Sequence, residues 1–569
     1  MYNYLQEIDV VLLIIAKNKL LLWQKNQLKK IKLSNMKKLL LFTLLLFMAS
    51  SSAHAQWGWN PNYPPDNENV QLTQTNLPIV WMEVDGATID REERITARMK
   101  IIHNGDGNLN YADTMAHPGQ KVDYEGYVAL KYRGNSSFSA SDKKPYSFRP
   151  LNAPLEEGGT KQKVKILGMG KDNNWAILAP YSDKSMMRDL LAFELSRPWM
   201  DFCPTGKYCE LFLDGIYYGI YIMCELPTKG KQRLNLDDPG EEGDELTGGY
   251  LLEVDRTDEP TYTSKYHPMT KNGQWITNRY INYQFKEPEY EDLTTAQYNY
   301  ITGQVDLMED ALNSANYTDP ETGYRQYMDE MSFVDYQIAQ ELSHNVDGYR
   351  LSAKIFKWRD SKDPRFKMVL WDFNIAYGNS DYYNGWYTNN WVYQNNDILN
   401  WNGDTQLVPF WWYKLNKDPY YQNLLKNRWA QCRRANMRED RIIATIDSMA
   451  TQLTAQGAMD RNSQAWPRWG QYVWPNQYIA QNFNDEVSHL KSWIHDRLTW
   501  MDTQLGFDPN AVIVGDVDCD GAVTAADVTA LYGYLLNGDT TYLDTSDVDG
   551  DGAVTSGDVT AVYSILLGL

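Results

Sequence analysis

The sequence predicts an α+β chain, a large mixed body followed by a small all-α tail, and three observations carry that reading. Between Leu77 and Pro150 the segments LPIVWMEV, ARMKIIHN, YVALKYRG and KPYSFRP read as strands divided by Gly- and Asp-rich turns. From Thr294 the spacing of apolar residues turns helical, in TTAQYNYITGQVDLMEDALNS and then MSFVDYQIAQELSHN. At the carboxyl end DVDCDGAVTAAD (516–527) returns 31 residues on as DVDGDGAVTSGD (547–558), and a helical stripe follows each copy.

At 569 residues the chain exceeds one ordinary domain and divides into two or three units. Its net charge of −20 excludes a nucleic-acid partner, because no surplus of Lys and Arg exists to displace phosphate counterions. The 20 Trp and 40 Tyr suit either a large packed core or broad ligand-facing surfaces. The cysteines, Cys203, Cys209, Cys224, Cys432 and Cys519, lack metal-like spacing, and only Cys203 and Cys209 invite pairing.

The first residues read as an address. From Met36, Lys37-Lys38 is a basic head, Leu39–Met48 an apolar run, and Ala53-His54-Ala55 the small-x-small form that signal peptidase cuts. Cleavage is expected after Ala55, giving a secreted or cell-surface protein with no membrane span. Residues 1–35 form an upstream extension whose VVLLIIA run is too short to cross a bilayer. Residues 56–76 are an exposed lead-in, 77–505 the body, 506–514 a linker and 515–569 the tail.

In KKPYSF a period of two sets Lys144, Tyr146 and Phe148 on one face and Lys143, Pro145 and Ser147 on the other. MMRDLLAFELSRPWM is an amphipathic helix closed by Pro198 and carrying Glu194. KYCELFLDG and IYYGIYIMCE pair around Asp214-Gly215 and end on Glu225, while GGYLLEVDR puts Glu253 and Asp255 on one face. The stretch 345–379 organises the rest: LSAKIFKWR and RFKMVLWDF form a hairpin around Asp360–Pro364, and their pairing draws Asp347 toward Asp372. Two carboxylates so placed serve phosphoryl transfer, one orienting or deprotonating a hydroxyl and one holding Mg²⁺. They would equally serve a Ca²⁺ site or a surface turn.

The blocks NVDGY, LWDFNIAYGN, RGNSS, KKPYSF, GKDNNWAILAPYSDKSMMRDLLAFELS, LFLDGIYYGIYIMCE and GGYLLEVDR stand in family order, and the chain from about Leu77 to Leu505 resembles the CotH kinase family of spore-coat-protein-H-like atypical kinases. The resemblance implies an atypical protein-kinase-like two-lobe fold, ATP with Mg²⁺ (or Mn²⁺) as cofactors, and transfer of the γ-phosphate to Ser or Thr of a protein substrate. It implies Asp347 as the catalytic-loop aspartate, Asp372 as the metal-binding aspartate and Asn374 as a further ligand. It makes Lys144 the nucleotide-contacting lysine, Glu194 its partner, and Glu225 a residue of the cleft between lobes. Ser352 departs from the family, which often has Asn five residues after the catalytic Asp, and a serine hydroxyl is the weaker Mg²⁺ ligand. The alternative is a non-catalytic kinase-like scaffold or adhesin binding glycan or protein, whereas a glycan-cleaving enzyme lacks a convincing acid and nucleophile pair.

The tail loops supply carboxylates at positions 1, 3 and 5, Gly at 6, a carbonyl at 7 and Asp at 12, the oxygen-rich shell Ca²⁺ prefers. The ligands are Asp516, Asp518, Asp520, the carbonyl of Ala522 and Asp527, then Asp547, Asp549, Asp551, the carbonyl of Ala553 and Asp558, with Thr524 and Thr555 acting through water. The stripes that follow, Val528, Leu531, Tyr532, Leu535, Leu536 and Val559, Val562, Tyr563, Leu566, Leu567, repeat together. This resembles a type I dockerin, which implies a cohesin-bearing scaffold as partner.

Overall fold

The computed structural model describes residues 70–509 and 513–569, so the expected signal sequence, its cleavage site and the upstream extension lie outside the described residues. Of those described, 139–142 group apart, and the others form one compact unit.

The alternating segments become strands Ile79–Glu83, Ile95–Ile102, Val122–Tyr132 and Tyr146–Leu151, joined by Trp175–Leu178, Gly206–Leu213 and Ile216–Cys224. Ile79–Glu83 runs parallel to Gly206–Leu213, with Val80 beside Leu211, and that pairing closes the seven strands into a barrel. Val80, Met82, Met99, Val128, Leu130, Phe148 and Ile177, each on the inward period of its strand, gather in one buried cluster. The resemblance implied a two-lobe fold; what the strands of this part of the chain form is a closed barrel. Period two tells which residues share a face and not which strands lie side by side, so closure could not be read from alternation.

A second, antiparallel sheet has strand order Thr261–Thr263, Asn282–Glu287, Tyr250–Val254, Ala353–Lys357, Phe366–Val369. Its last two strands are the expected hairpin, with Ile355 opposite Met368. Helices Thr295–Asn313, Glu330–Ser343, Pro419–Arg434 and Phe483–Leu505 contribute to one large core, where Trp411, Trp412, Trp429 and Tyr324 are almost wholly buried. Much of the aromatic load is therefore packing. Helix Arg188–Ser196 is buried all round except at Glu194, so its surroundings and not amphipathicity fix its place. Phe193 packs on Trp371 and edge-on to Phe373, with ring centroids 6.1 and 6.0 Å away. At its start Arg188 Nη1 lies 2.5 Å from Asp183 Oδ1 and 2.9 Å from Glu486 Oε1, and its Nε donates to the Ala376 carbonyl at 3.0 Å.

All five cysteines are buried free thiols, Cys203 and Cys209 included, so the one pairing the sequence invited is not made. Among the described residues no helix is long and apolar enough to cross a membrane. The tail folds as helices Ala525–Asn537 and Ser556–Leu567 over a core of Val517, Val528, Leu531, Val559 and Val562. The other half of each stripe, including Tyr532, Leu536, Tyr563 and Leu567, faces solvent.

Candidate functional site

Helix Glu330–Ser343 stops where His344 turns left-handed at φ 48°, its N–H closing on the Gln340 and Glu341 carbonyls. The chain then folds tightly through residues 345–352. Asn345 Nδ2 donates to the Asp372 carbonyl at 2.9 Å, lashing this turn to the second aspartate. Asp347 Oδ1 accepts from Arg350 Nη2 at 2.7 Å, and Arg350 reaches on to Asp404 at 2.8 Å, which also accepts the Tyr383 hydroxyl. Asp347 Oδ2 has no protein hydrogen-bond partner among the described residues. Gly348 is required by space: a Cβ there would stand 2.0 Å from Gln340 Oε1, and its carbonyl accepts the Tyr336 hydroxyl. Gly348→Ala is expected to cost about 1–3 kcal/mol by overpacking, read as a lower urea midpoint with unchanged slope.

Asp372 follows the last strand of the hairpin at φ 63°, held by the Asn345 contact and by Asn374 Nδ2, which donates to its Oδ1 at 2.9 Å. That leaves the Asn374 amide oxygen for another partner. Solvent reaches Asp372. Even so, the protein packed around it raises its pKa; Arg133 works against that rise, and Asp347, Asp255 and Glu253 add to it. Next to it the Phe373 N–H donates to buried Asp189 Oδ1 at 2.6 Å, and burial together with Asp372 pushes the Asp189 carboxyl up as well.

Asp189 and Arg133 were not singled out from sequence. Arg133 lies in the RGNSS block with its guanidinium 5.0 Å from the Trp371 ring, and has no ion pair among the described residues. Helix Arg188–Ser196 turns Asp189, not Glu194, toward this region; Glu194 is exposed and pairs with Arg197 at 2.8 Å. Lys144 Nζ donates to the Phe138 carbonyl at 2.7 Å, bracing the far end of the segment that carries Arg133. Lys143 is buried against the Tyr221 ring and bonds Asn462 at 2.9 Å. Glu225 has both oxygens engaged, by the N–H groups of Gly170 and Thr205 at 3.0 Å each, on the wall of a cavity of about 510 Å³. Ser352 stands left-handed at φ 56°, a conformation in which Asn is common, and its N–H donates to Asp255 at 3.0 Å. Glu253 pairs with Lys354 at 2.5 Å.

In the tail, each loop draws together three of its four expected carboxylates, without Asp520 in the first loop and without Asp558 in the second. Gly521 and Gly552, at position 6, sit at φ 94° and 88°. Asp516, Asp518 and Asp527 bring carboxylate oxygens within 4.8 Å of one another, as do Asp547, Asp549 and Asp551. Asp527 and Asp558 also complete capping boxes with Thr524 and Thr555. The two threonine hydroxyls accept from the N–H groups of Ala526 and Gly557 as helix caps, which leaves each hydroxyl hydrogen for the water-mediated role expected from sequence.

Residues 130–501, more than half of the chain, match the family described as CotH kinase protein. The chain belongs to that family. Residues 514–567 match the type I dockerin domain, and no curated protein matches the chain. The turn at Asp347, the hairpin and Asp372 thus fall inside the CotH domain, and both acidic loops inside the dockerin. Dockerins bind cohesin-bearing scaffolds.

The dockerin loops suit Ca²⁺. In the first, buried Asp516 keeps Oδ1 without a hydrogen-bond partner, and burial with neighbouring Asp527 and Asp520 pushes Asp518 up to about 7, a crowding that a divalent cation relieves. Chelation is expected to raise amide hydrogen exchange across 515–569 while the CotH domain keeps its protection; equal protection with and without Ca²⁺ would contradict this. In the CotH domain no three acidic side chains converge in that way among the described residues.

Proposed function

We propose that this is a secreted atypical protein kinase that transfers the γ-phosphate of ATP to Ser or Thr hydroxyls of extracytoplasmic proteins, tethered to a cohesin-bearing scaffold by its Ca²⁺-binding dockerin. The observation that carries the reading is the tie of the Asp347 turn to Asp372 through Asn345, with the Arg133 guanidinium 5.0 Å from the neighbouring Trp371 ring. Asp347, with Oδ1 fixed by Arg350, orients the acceptor hydroxyl and takes its proton on Oδ2. Asp372 and Asn374, with Ser352 as a weaker third group, would hold Mg²⁺, which when bound neutralises charge on the phosphates. Arg133, which has no ion pair among the described residues, would offer the phosphates a planar donor. Lys144, the lysine expected at the nucleotide, acts in this scheme through the Phe138 carbonyl on the Arg133 segment, and Glu225 holds Gly170 and Thr205 at the barrel's edge.

Titration calorimetry with ATP and Mg²⁺ or Mn²⁺ tests the reading. Arg133→Met is expected to weaken ATP roughly 10–100-fold, the worth of charge-assisted hydrogen bonds to phosphate. No ATP binding to the unaltered chain with either metal would defeat the kinase reading. The scaffold reading would then stand, favoured by the serine at 352.

A further inference from the structure

We propose that Arg434 is the resident cation of the first dockerin loop, and that Ca²⁺ competes with it, so that calcium loading loosens the tail's attachment to the CotH domain. Arg434 ends helix Pro419–Arg434, and its Nη1 lies 2.6 Å from Asp516 Oδ2. Asp516 is position 1 of the loop, is only 4% exposed, and has its other oxygen, Oδ1, unpartnered. The mount is firm: neighbouring Arg433 holds Asp502 through two parallel bonds of 2.9 Å, and both guanidinium groups lie against the Phe507 ring, at 5.5 and 5.6 Å.

The second loop provides the internal comparison. In each loop the position-1 carboxylate accepts the N–H of the position-6 glycine, Gly521 or Gly552, at 3.0 Å. Asp547, however, is exposed, its remaining oxygen accepts the Gly550 N–H at 2.9 Å, and no cation from the CotH domain pairs with it among the described residues. Repeats that match in sequence are therefore unequal in setting, and Arg434 is what distinguishes them.

Sharing Asp516 sets the sign of the coupling. A divalent ion on Oδ1 and a guanidinium on Oδ2 of one buried carboxylate repel each other at short range. That repulsion outweighs the benefit of having one more hydrogen bond orient the ligand. By linkage, the factor by which Arg434 weakens Ca²⁺ at loop 1 is the factor by which Ca²⁺ weakens the Arg434 contact. Loop 2 binds without this competition.

The test is Ca²⁺ titration calorimetry on the full chain, with loop 2 silenced by Asp549→Asn and Asp551→Asn so that loop 1 is read alone. Arg434→Gln is expected to tighten loop 1 by about tenfold or more, while charge-keeping Arg434→Lys stays within about threefold of the parent. The same Arg434→Gln change with loop 2 intact and loop 1 silenced by Asp518→Asn and Asp520→Asn should leave loop 2 unmoved. Thermal melts of the CotH domain guard against general destabilisation. Loop-1 affinity that is unchanged or weaker in Arg434→Gln, or equal in the Gln and Lys variants, would overturn the proposal.

Discussion

Asp372→Asn is expected to reduce phosphate transfer to background, and Asp347→Asn to lower kcat by roughly 10²–10⁴-fold with ATP affinity nearly unchanged. The two losses differ because the aspartates stand in different surroundings. Asp372 is fixed by Asn345 and Asn374 and opposed by Arg133, so neutralising it removes the charge that would hold Mg²⁺ and leaves Arg133 without its counterweight. Asp347 is tied through one oxygen to Arg350, and an Asn there keeps a hydrogen-bonding oxygen but cannot take a proton. Single-turnover rates with ATP affinities measured in parallel separate the two roles. Equal loss of ATP binding in both variants would contradict the assignment.

Arg188→Met is expected to destabilise the CotH domain by about 3–5 kcal/mol, the cost of leaving a buried charge without its partner. Arg188 satisfies Asp183 and Glu486, both nearly inaccessible to solvent, and its Nε reaches the Ala376 carbonyl a few residues beyond Asp372. Removing the guanidinium strands two carboxylates at once and frees the segment that carries Asp372. Urea unfolding is the measurement. A loss below about 1 kcal/mol, the worth of an exposed pair, would show the network to be dispensable.

The hairpin and both acidic loops were legible because each rests on local spacing: period two with a turn between, or twelve residues with glycine at the sixth. The site's other members were not. Asp189 lies on a helix far from Phe373 in sequence and reaches it only by folding, so nothing local distinguished it from the more conspicuous Glu194. Arg133 sat in a block already quoted for its resemblance, but a role opposite Asp372 depends on how barrel and sheet approach each other. Barrel closure was not legible for the same reason, since the parallel pairing of Ile79–Glu83 with Gly206–Leu213 joins strands far apart in sequence. Lys144 lies two residues before the strand Tyr146–Leu151, outside the strand that the alternation of KKPYSF had given it, and Glu225 directly follows Ile216–Cys224; the polar atoms of both are engaged by backbone groups that sequence does not reveal.

The most direct test of the central claim is incorporation of γ-labelled phosphate by the purified chain with Mg²⁺ or Mn²⁺, beside Asp347→Asn and Asp372→Asn. Label is expected on Ser or Thr in the unaltered chain or an added protein acceptor, and none above background with Asp372→Asn. Absence of label with either metal, or label that persists in both variants, would contradict it.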